Sequence, residues 1–410
     1  MKKMIKSKYI IGMMALGFAA LSQTSCDNAK DSEIDNLVYI SEAAMAKTKT
    51  LTMEDNGAKT DLTIRMARSI GSDVNVKISI DEAYLAAYNK INETDYKVPD
   101  AANFTVPTAA TIKAGSVSAT PVSINVKSFS TNGVKYAIPV CISEVEGAVN
   151  KAEASSHFIY FLEKPLKQLV PKFTWYNAMQ AAPTTDWRIE VPNYTLEWWS
   201  KMTSEDGSDG YTVNNQAIFN SGGKDAADNG IELYIRFGDL IYSDGASYKN
   251  NFLQVKTFGS QFDTGNPVKG FGLTPKVWYH FAITYDAATG TTLLYKNGEQ
   301  VASLSTSAGR SMWIDHLQMI SSGSQYFPDF CELCQVRMWK TTRTVGQIKN
   351  GMYSEVDPKN PDLILYLPMN EGSGDVLHDT TGHGHDVTIG NISHSSDAKK
   401  VTWTQYTFAK

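Results

Sequence analysis

The chain has 410 residues, of which 42% are hydrophobic and 20% charged, and its formal net charge is −5. This length exceeds one average domain and is sufficient for two, each with a hydrophobic core of its own. Lys and Arg do not cluster beyond the first residues, so the charge pattern argues against a nucleic-acid partner.

The N-terminus has the pattern of a secretory signal. A lysine-rich start precedes an apolar run, Tyr9–Leu21, which is too short to remain as a transmembrane helix. The segment resembles a bacterial lipoprotein signal, in which the cysteine after a small residue is acylated; here that residue is Cys26, although Gln23 stands where an aliphatic residue is usual. The resemblance implies a signal peptide over residues 1–25, a lipid anchor on Cys26 and an outer-membrane location facing the cell surface. Plain cleavage and an uncleaved anchor are the alternatives.

A polar stretch, residues 26–34, is predicted to be a flexible tether. After it, residues 35–163 alternate in the manner of short strands: "DVNVKISID" places Val74, Val76 and Ile78 on one face. One helix is expected at "DEAYLAAYNKIN", with Asp81 as its N-cap. About eight short strands in such a span predict an immunoglobulin-like β-sandwich.

Four segments in this span also carry a family resemblance. They are "VYIS", "LTIRMARSIGSDVNVKISIDEAYLAAYNKINETDYKVPDAANF", "TIKAGSVSATPVSINV" and "YAIPVCISEVEG". In this order they resemble an N-terminal domain of unknown function that is common in Bacteroidetes surface lipoproteins. In that family the domain precedes endo-β-N-acetylglucosaminidases of the chitinase-like family 18, or glycan-binding modules. The resemblance implies a context rather than an activity.

Residues 164–172 are predicted to form a short, semi-rigid linker, because two prolines bound them and glycine is absent. Residues 173–410 are again rich in strands. In "VWYHFAITYDAATGTTLLYKNGEQV" both faces of the first strand are largely apolar, which predicts a hairpin covered on both sides. Asn297-Gly298 suits a type I′ turn.

The C-terminal span resembles the LamG/pentraxin branch of the concanavalin A-like lectin/glucanase domains. The resemblance rests on "YTLEWWSKM", on the hairpin, on "CELCQVRMWKTTRTVGQIKNGMY" and on "LILYLPMNEGSGDVLHDTTGHGHD". It implies a jelly-roll sandwich, and it implies that Trp199, Trp278 and Trp339 belong to the interior. The predicted fold class is therefore all-β, with an immunoglobulin-like sandwich followed by a concanavalin A-like one.

The cysteines beyond Cys26 are Cys141, Cys331 and Cys334. The "CELC" segment has the composition of a strand, in which residues three apart point to opposite faces. A disulfide between them is therefore disfavoured, and a second Cys/His set that would complete a zinc site is missing from the sequence. We expect buried, reduced thiols.

Catalytic motifs are not found. Jelly-roll glycosidases carry alternating carboxylates on one strand, whereas Glu355 and Asp357 lie in a proline-containing segment that is unsuited to a central strand. The acidic run of family 18 glycosidases is also missing. The sequence predicts a protein that is not an enzyme.

Sugar binding requires exposed rings, because the C–H face of a pyranose packs on an aromatic face while neighbouring polar groups bind its hydroxyls. Loops are the expected place for such rings. The predicted carbohydrate-binding residues are Trp187, Tyr211, Trp313, Tyr326, Phe327 and Asp329.

The segment "HDTTGHGHD" gathers His378, Asp379, His383, His385 and Asp386. It is either a metal site or a glycine-punctuated turn. No cofactor is required by the sequence, and the one candidate is a calcium ion held by carboxylates, with Asp329 and Asp379 as ligands.

These observations predict a non-catalytic, lipid-anchored surface protein that captures oligosaccharide, such as host N-glycan or mannose-rich chains, for a polysaccharide-utilisation system. Its partners would be the glycan, the outer membrane and transporter components of a glycan-uptake system. Two alternatives stay open: a protein-docking or adhesion lipoprotein without glycan affinity, and a glycoside hydrolase.

Overall fold

A computed structural model describes residues 35–181, 189–204, 207, 209–224 and 230–408. The predicted signal peptide, Cys26 and the tether lie outside these residues. Within them the chain is all-β, as predicted, with an immunoglobulin-like sandwich followed by a concanavalin A-like one. None of the helices in the described ranges is long and apolar enough to cross a bilayer.

The N-terminal domain contains short strands and one regular helix, α1 (Glu82–Asn92). Its strands are β1 (Leu37–Ile40), β2 (Thr48–Thr52), β3 (Ala58–Leu62), β4 (Ile64–Met66), β5 (Val74–Ile80), β6 (Phe104–Thr105), β7 (Ala109–Ile112), β8 (Val122–Val126), β9 (Tyr136–Glu146), β10 (Asn150–Lys151) and β11 (His157–Glu163). Single 3₁₀ turns occupy Glu42–Ala44, Ala101–Asn103 and Glu153–Ser155.

The largest sheet of this domain has the order β2-β11-β9-β5-β7 and packs against two three-stranded sheets, β10-β1-β4 and β3-β8-β6. The alternation predicted for β5 is confirmed, because Val74, Val76 and Ile78 all lie in the core. Helix α1 begins as expected: the Asp81 carboxylate accepts a hydrogen bond from the Tyr84 backbone N–H, which satisfies one of the free donors of the first turn.

The C-terminal domain contains the remaining strands and two short helices, α2 (Gly323–Tyr326) and α3 (Val345–Gly351). Its strands are β12 (Leu166–Phe173), β13 (Met179–Ala181), β14 (Ile189–Val191), β15 (Asn193–Thr203), β16 (Gln216–Lys224), β17 (Gly230–Phe237), β18 (Leu253–Thr257), β19 (Ser260–Asp263), β20 (Tyr279–Asp286), β21 (Thr291–Lys296), β22 (Glu299–Ser305), β23 (Met312–Ile314), β24 (Leu317–Met319), β25 (Phe330–Trp339), β26 (Leu363–Leu367), β27 (Val376–Leu377), β28 (Val387–Thr388) and β29 (Thr402–Phe408). Trp175–Asn177 and Pro267–Lys269 form 3₁₀ turns.

Two sheets of this domain enclose its main core. One has the order β22-β21-β20-β15-β25-β12-β29, with β26 added on β25, and the other has the order β13-β24-β16-β17-β18-β19. The predicted hairpin is β20-β21, and β20 is buried on both faces because Phe281 enters the core while Ala282 packs beneath Ile348 of α3. Asn297 and Gly298 both have positive φ between β21 and β22, as a type I′ turn requires.

The predicted linker, residues 164–172, is wrong over most of its length. Leu166–Phe173 is strand β12, which pairs with β29 along its length and with β25 at Lys172 and Phe173. Pro171 lies opposite Trp403 of β29, one residue before the pairing with β25 begins at Lys172. Only Lys164 and Pro165 separate β11 from β12.

The two domains contact each other beside this short connection. The Lys135 ammonium donates a hydrogen bond to the Asn350 carbonyl oxygen, 3.0 Å away, and burial lowers the pKa of Lys135 to about 8. Gly133 approaches the second domain so closely that a Cβ there would lie 2.0 Å from the Val356 carbonyl oxygen. A cavity of about 500 Å³ beside these contacts is lined by residues of both domains, including Tyr96 and Asn350.

Beneath α3, a group of charged side chains is buried. The Glu197 carboxylate is fully buried and lies 3.0 Å from Nε of Arg343, 3.6 Å from Nε2 of His280 and 4.0 Å from Nη1 of Arg337. Burial lowers the pKa of His280 well below its usual value, and the two guanidinium groups lower it further. The imidazole is therefore neutral, so a single carboxylate faces two guanidinium groups.

The cysteine prediction is confirmed for the described residues. Cys141, Cys331 and Cys334 are free and buried. Burial raises the pKa of the Cys331 and Cys334 thiols above their usual value, so both remain protonated at neutral pH. The interior positions predicted for Trp199, Trp278 and Trp339 are likewise confirmed, with at most 8% of each residue exposed.

Candidate functional site

The outer face of the sheet β13-β24-β16-β17-β18-β19 carries a continuous row of polar side chains. The row follows from the register, because each member lies directly opposite the next on the neighbouring strand, and directly opposite residues point to the same face. We call this row the polar stripe; it consists of Gln180, Gln318, Asn220, Tyr234, Lys256 and Gln261.

The stripe faces solvent because its strands alternate. In β17 the side chains of Leu233 and Ile235 enter the core, so Tyr234 between them points outward and is partly exposed. Strands lie about 4.8 Å apart, so a row across the six strands spans about 24 Å. The stripe is therefore long enough for an extended chain-like ligand lying across the strands.

A hydrogen-bonded network fixes the centre of the stripe. Asn215 Oδ1 accepts hydrogen bonds from the Tyr234 hydroxyl (2.9 Å) and from Arg236 Nη1 (2.8 Å). Arg236 also donates from Nε to Gln254 and from Nη2 to Asp239, which accepts a further bond from Gln254. Burial raises the pKa of Tyr234, so its hydroxyl remains a donor and holds the ring in a fixed orientation.

Two loops border the end of the sheet at which Arg236 lies. They connect β17 to β18 and β19 to β20, and they expose apolar side chains beside polar ones. Leu240, Ile241, Tyr248 and Phe271 are each between 46% and 58% exposed, whereas the Tyr242 hydroxyl is bound to Asp263 at the end of β19 (3.0 Å). The network is thus flanked by rings and aliphatic groups that solvent can reach.

The carboxylates near the stripe are already engaged by donors or cations. Glu232 lies 3.4 Å from the Lys256 ammonium, Asp239 accepts from Arg236 and Gln254, and Asp263 accepts from Tyr242. Such an arrangement orients acceptors for sugar hydroxyls; a facing acid and base around a scissile bond would require a different geometry.

Sequence reasoning missed Tyr234 and Arg236 because it searched the loops for rings. The signal was present in "GIELYIRFGD", where Glu232, Tyr234 and Arg236 alternate with apolar residues. That alternation indicates a half-buried strand with a polar outer face.

The predicted ring residues lie in different environments. Trp187 lies outside the described residues. Trp313, on β23, is partly buried against the core and runs past Gly223 of β16, where a Cβ would lie 3.1 Å from the Trp313 Cβ. Tyr326 is 38% exposed at the end of α2. Sugar contacts by Trp313 and Tyr326 stay predictions.

The expectation that Tyr211 and Phe327 present ring faces to a ligand is wrong. Tyr211 is 5% exposed and packs edge-on against Phe237, and Phe327 is fully buried in the core. Loop position suggested exposure, but both rings fold inward because the loops carrying them close over the sandwich.

Asp329 is also buried, with 2% of its surface exposed. Its carboxylate accepts hydrogen bonds from the Thr212 backbone N–H and hydroxyl and from Gln216 Nε2. Asn215 lies between Thr212 and Gln216, so these hydrogen bonds hold the segment that carries it. Asp329 thereby positions Asn215 Oδ1, which accepts the hydrogen bond from the Tyr234 hydroxyl. Direct contact between Asp329 and a sugar does not fit this burial.

The Asp379 carboxylate accepts hydrogen bonds from the backbone N–H groups of Tyr366 and Thr381 and from the Thr381 hydroxyl. It ties the loop of "HDTTGHGHD" to β26, as the turn interpretation expects. Ligand atoms of Asp379, His383 and His385 lie within 4.8 Å of one another, a mixed nitrogen and oxygen set that differs from the oxygen cage calcium prefers. The three-ligand groups found in the described residues do not include Asp329, so a calcium ion shared by Asp329 and Asp379 stays a prediction.

Comparison with known proteins supports the two-domain organisation. Residues 33–149 match the model of a family described as an N-terminal domain, and residues 176–349 match that of the concanavalin A-like lectin/glucanases superfamily. The predicted order of an N-terminal family domain followed by a LamG-type domain is confirmed. No curated protein matches the chain.

Among solved structures, a candidate carbohydrate-binding protein from Bacteroides ovatus is similar over 91% of this chain and 99% of its own, with 22% identity and a TM-score of 0.58. EndoBT-3987 from Bacteroides thetaiotaomicron, solved with a Man5GlcNAc product, is 25% identical over 31% of this chain and 30% of its own, with a TM-score of 0.26. The SAP-like pentraxin of Limulus polyphemus is 14% identical over 54% of this chain and all of its own, with a TM-score of 0.30.

Proposed function

We propose that this chain is a non-catalytic glycan-binding protein that holds an oligosaccharide along the polar stripe. The observation that carries the proposal is the fixed Tyr234 ring within a row of amide side chains across the whole sheet. A pyranose presents an apolar C–H face and a rim of hydroxyls, and this surface offers a ring for the first and amides for the second. The lectin-like domain and the carbohydrate-binding description of the Bacteroides ovatus protein are consistent with it.

The proposal is tested with a glycan array probed with residues 27–410, with and without calcium. Array hits are then measured by calorimetry with Tyr234→Ala and Tyr234→Phe. Loss of a stacking ring worth about 1.5 kcal/mol corresponds to roughly tenfold weaker binding, whereas Tyr234→Phe retains the ring and weakens binding less. Tyr406→Ala, which removes a partly exposed ring from β29 on the other sheet, is the matched control and should bind normally.

A hit unaffected by Tyr234→Ala would contradict the proposed site. The absence of any hit would contradict glycan binding itself and favour protein docking, for which the exposed Leu240, Ile241 and Phe271 provide an apolar surface. Turnover of a bound oligosaccharide, followed by chromatography, would instead favour a glycoside hydrolase.

The cellular setting extends the proposal. A lipid on Cys26 would hold the chain at the outer membrane, and many anchored copies would raise the avidity of a weak single site. Capture of host N-glycan or mannose-rich chains for delivery to a transporter is the setting we propose. Cys26→Ser should release the protein from membrane fractions, and retention of that variant in the membrane would contradict the anchor.

A further inference from the structure

Three side chains with metal-ligating atoms converge on one face of the N-terminal domain. On that face Cys141 of β9 lies directly opposite Ser79 of β5 on one side and His157 of β11 on the other. Asp81 follows β5 and caps α1. Ligand atoms of Asp81, Cys141 and His157 all lie within 4.8 Å of one another, although the three residues are far apart in sequence.

Each of the three side chains is held by a second group. The Tyr84 backbone N–H donates to Asp81 Oδ1 (2.9 Å), Ser79 Oγ lies 3.2 Å from Cys141 Sγ, and Ser156 Oγ lies 2.9 Å from His157 Nδ1. These contacts orient Asp81 Oδ2 and His157 Nε2 towards each other. Metal ligands are typically oriented by such outer contacts.

The hydrogen bonds restrict which ring nitrogen of His157 carries a proton. The Ser156 hydroxyl has one proton, and the Glu153 carbonyl oxygen and His157 Nδ1 both lie 2.9 Å from its oxygen. When the hydroxyl donates to Glu153, it accepts from His157, and Nδ1 is the protonated nitrogen. In the neutral ring Nε2 then carries a lone pair, and it faces Asp81 Oδ2 at 3.0 Å. Two lone pairs at this distance repel each other unless a proton or a metal cation lies between them.

We propose that Asp81 Oδ2, Cys141 Sγ and His157 Nε2 bind a divalent transition-metal ion of the zinc class. A thiolate and a carboxylate balance the two positive charges, and the neutral imidazole completes a sulfur, nitrogen and oxygen set that suits this class. The side chains of His157 and Asp81 are 22% and 30% exposed, so a fourth ligand can come from water. Binding releases the thiol proton of Cys141.

The site is independent of the polar stripe, which lies in the other domain. Its structural consequence is local: the ion would join the start of α1 to β9 and β11. Since α1 carries Tyr88 and Asn92 of the cavity between the domains, the ion would stabilise one wall of that cavity.

The test is titration of metal-free residues 27–410 with Co²⁺, a spectroscopic substitute for zinc. We expect one equivalent to bind and to produce a thiolate-to-cobalt charge-transfer absorption. Cys141→Ser should abolish this absorption, while His157→Gln and Asp81→Asn should weaken binding by at least about tenfold. Asn is as good an N-cap as Asp, so Asp81→Asn leaves the start of α1 intact, and far-UV circular dichroism confirms folding of each variant.

Two controls separate this site from other groups of ligands. Cys331→Ser removes a buried thiol of the other domain and should leave the absorption unchanged, as should His383→Gln, which alters the group containing Asp379. No charge-transfer absorption from the unsubstituted protein would overturn the proposal and leave an imidazolium–carboxylate pair. Absorption that survives Cys141→Ser, or that disappears with His383→Gln, would overturn it as well.

Discussion

Replacing Glu197 by Ala should strongly destabilise the C-terminal domain. The carboxylate is fully buried, and it is the nearby negative charge for the buried guanidinium groups of Arg337 and Arg343. Removing one partner of a buried charge group leaves the others uncompensated and costs about 3–5 kcal/mol. At about 2–4 °C per kcal/mol for a domain of this size, the melting temperature should fall by roughly 6–20 °C.

Differential scanning calorimetry of the C-terminal transition measures this loss, with urea unfolding followed by Trp fluorescence as a second readout. Glu197→Gln preserves the shape but removes the charge, so it should lose most of the same stability. Glu299→Ala is the matched control: its ion pair with Lys349 lies on the surface, and its loss should cost at most about 1 kcal/mol. Wild-type stability of Glu197→Gln would refute the electrostatic reasoning and leave only a packing effect.

Three further predictions concern the turn at Gly298, the buried ammonium group of Lys135 and the buried thiols of the C-terminal domain. Gly298→Ala should lower the free energy of unfolding by about 1–2 kcal/mol in urea titrations, because φ is +78° there; an unchanged midpoint would contradict the type I′ geometry. Burial lowers the pKa of Lys135 to about 8, so between pH 8 and about 10.5 the unfolded chain binds that proton more tightly and stability rises with pH. Lys135→Met should therefore be more stable than wild type near pH 7, and the difference between their free energies of unfolding, measured in urea titrations, should narrow towards pH 10. A difference that does not change with pH would contradict this. Cys331 and Cys334 should react with an aromatic disulfide reagent only after unfolding, and rapid modification of the native protein would show that they are accessible.

The parts of the fold that could be predicted depend on neighbours in sequence. The alternation of Tyr279–Asp286 predicts β20, the Asn297-Gly298 dipeptide predicts the turn from β21 to β22, and α1 follows from its periodicity and from Asp81. Each signal is contained within about a dozen residues, so each can be recognised without knowing the rest of the chain.

The parts that could not be predicted depend on strand partners. Residues 164–172 contain two prolines and resemble a linker, but β29, more than 220 residues later, supplies the partner that makes Leu166–Phe173 a strand. Tyr211 and Phe327 follow loop-like sequences, yet both rings are buried in the hydrophobic core. Local composition does not specify which loops close over the sandwich.

The polar stripe and the proposed metal site also depend on the register in which the strands pair. Asn220, Tyr234 and Lys256 come together only because three strands pair as they do, and Asp81 meets His157 across 76 positions of the chain. Sequence reasoning recognised the class of domain from its motifs, but the row of side chains on its outer face requires the pairing to be known.

The close approach at Gly133 offers a way to ask what the first domain contributes. Any other amino acid at this position would force the backbones of the two domains apart, since the Val356 carbonyl occupies the space that a Cβ needs. A single substitution far from Tyr234 would thus disrupt the contact between the two domains. Comparing how well the wild-type protein and a Gly133 variant retain a long polysaccharide would show whether capture depends on this contact between the domains.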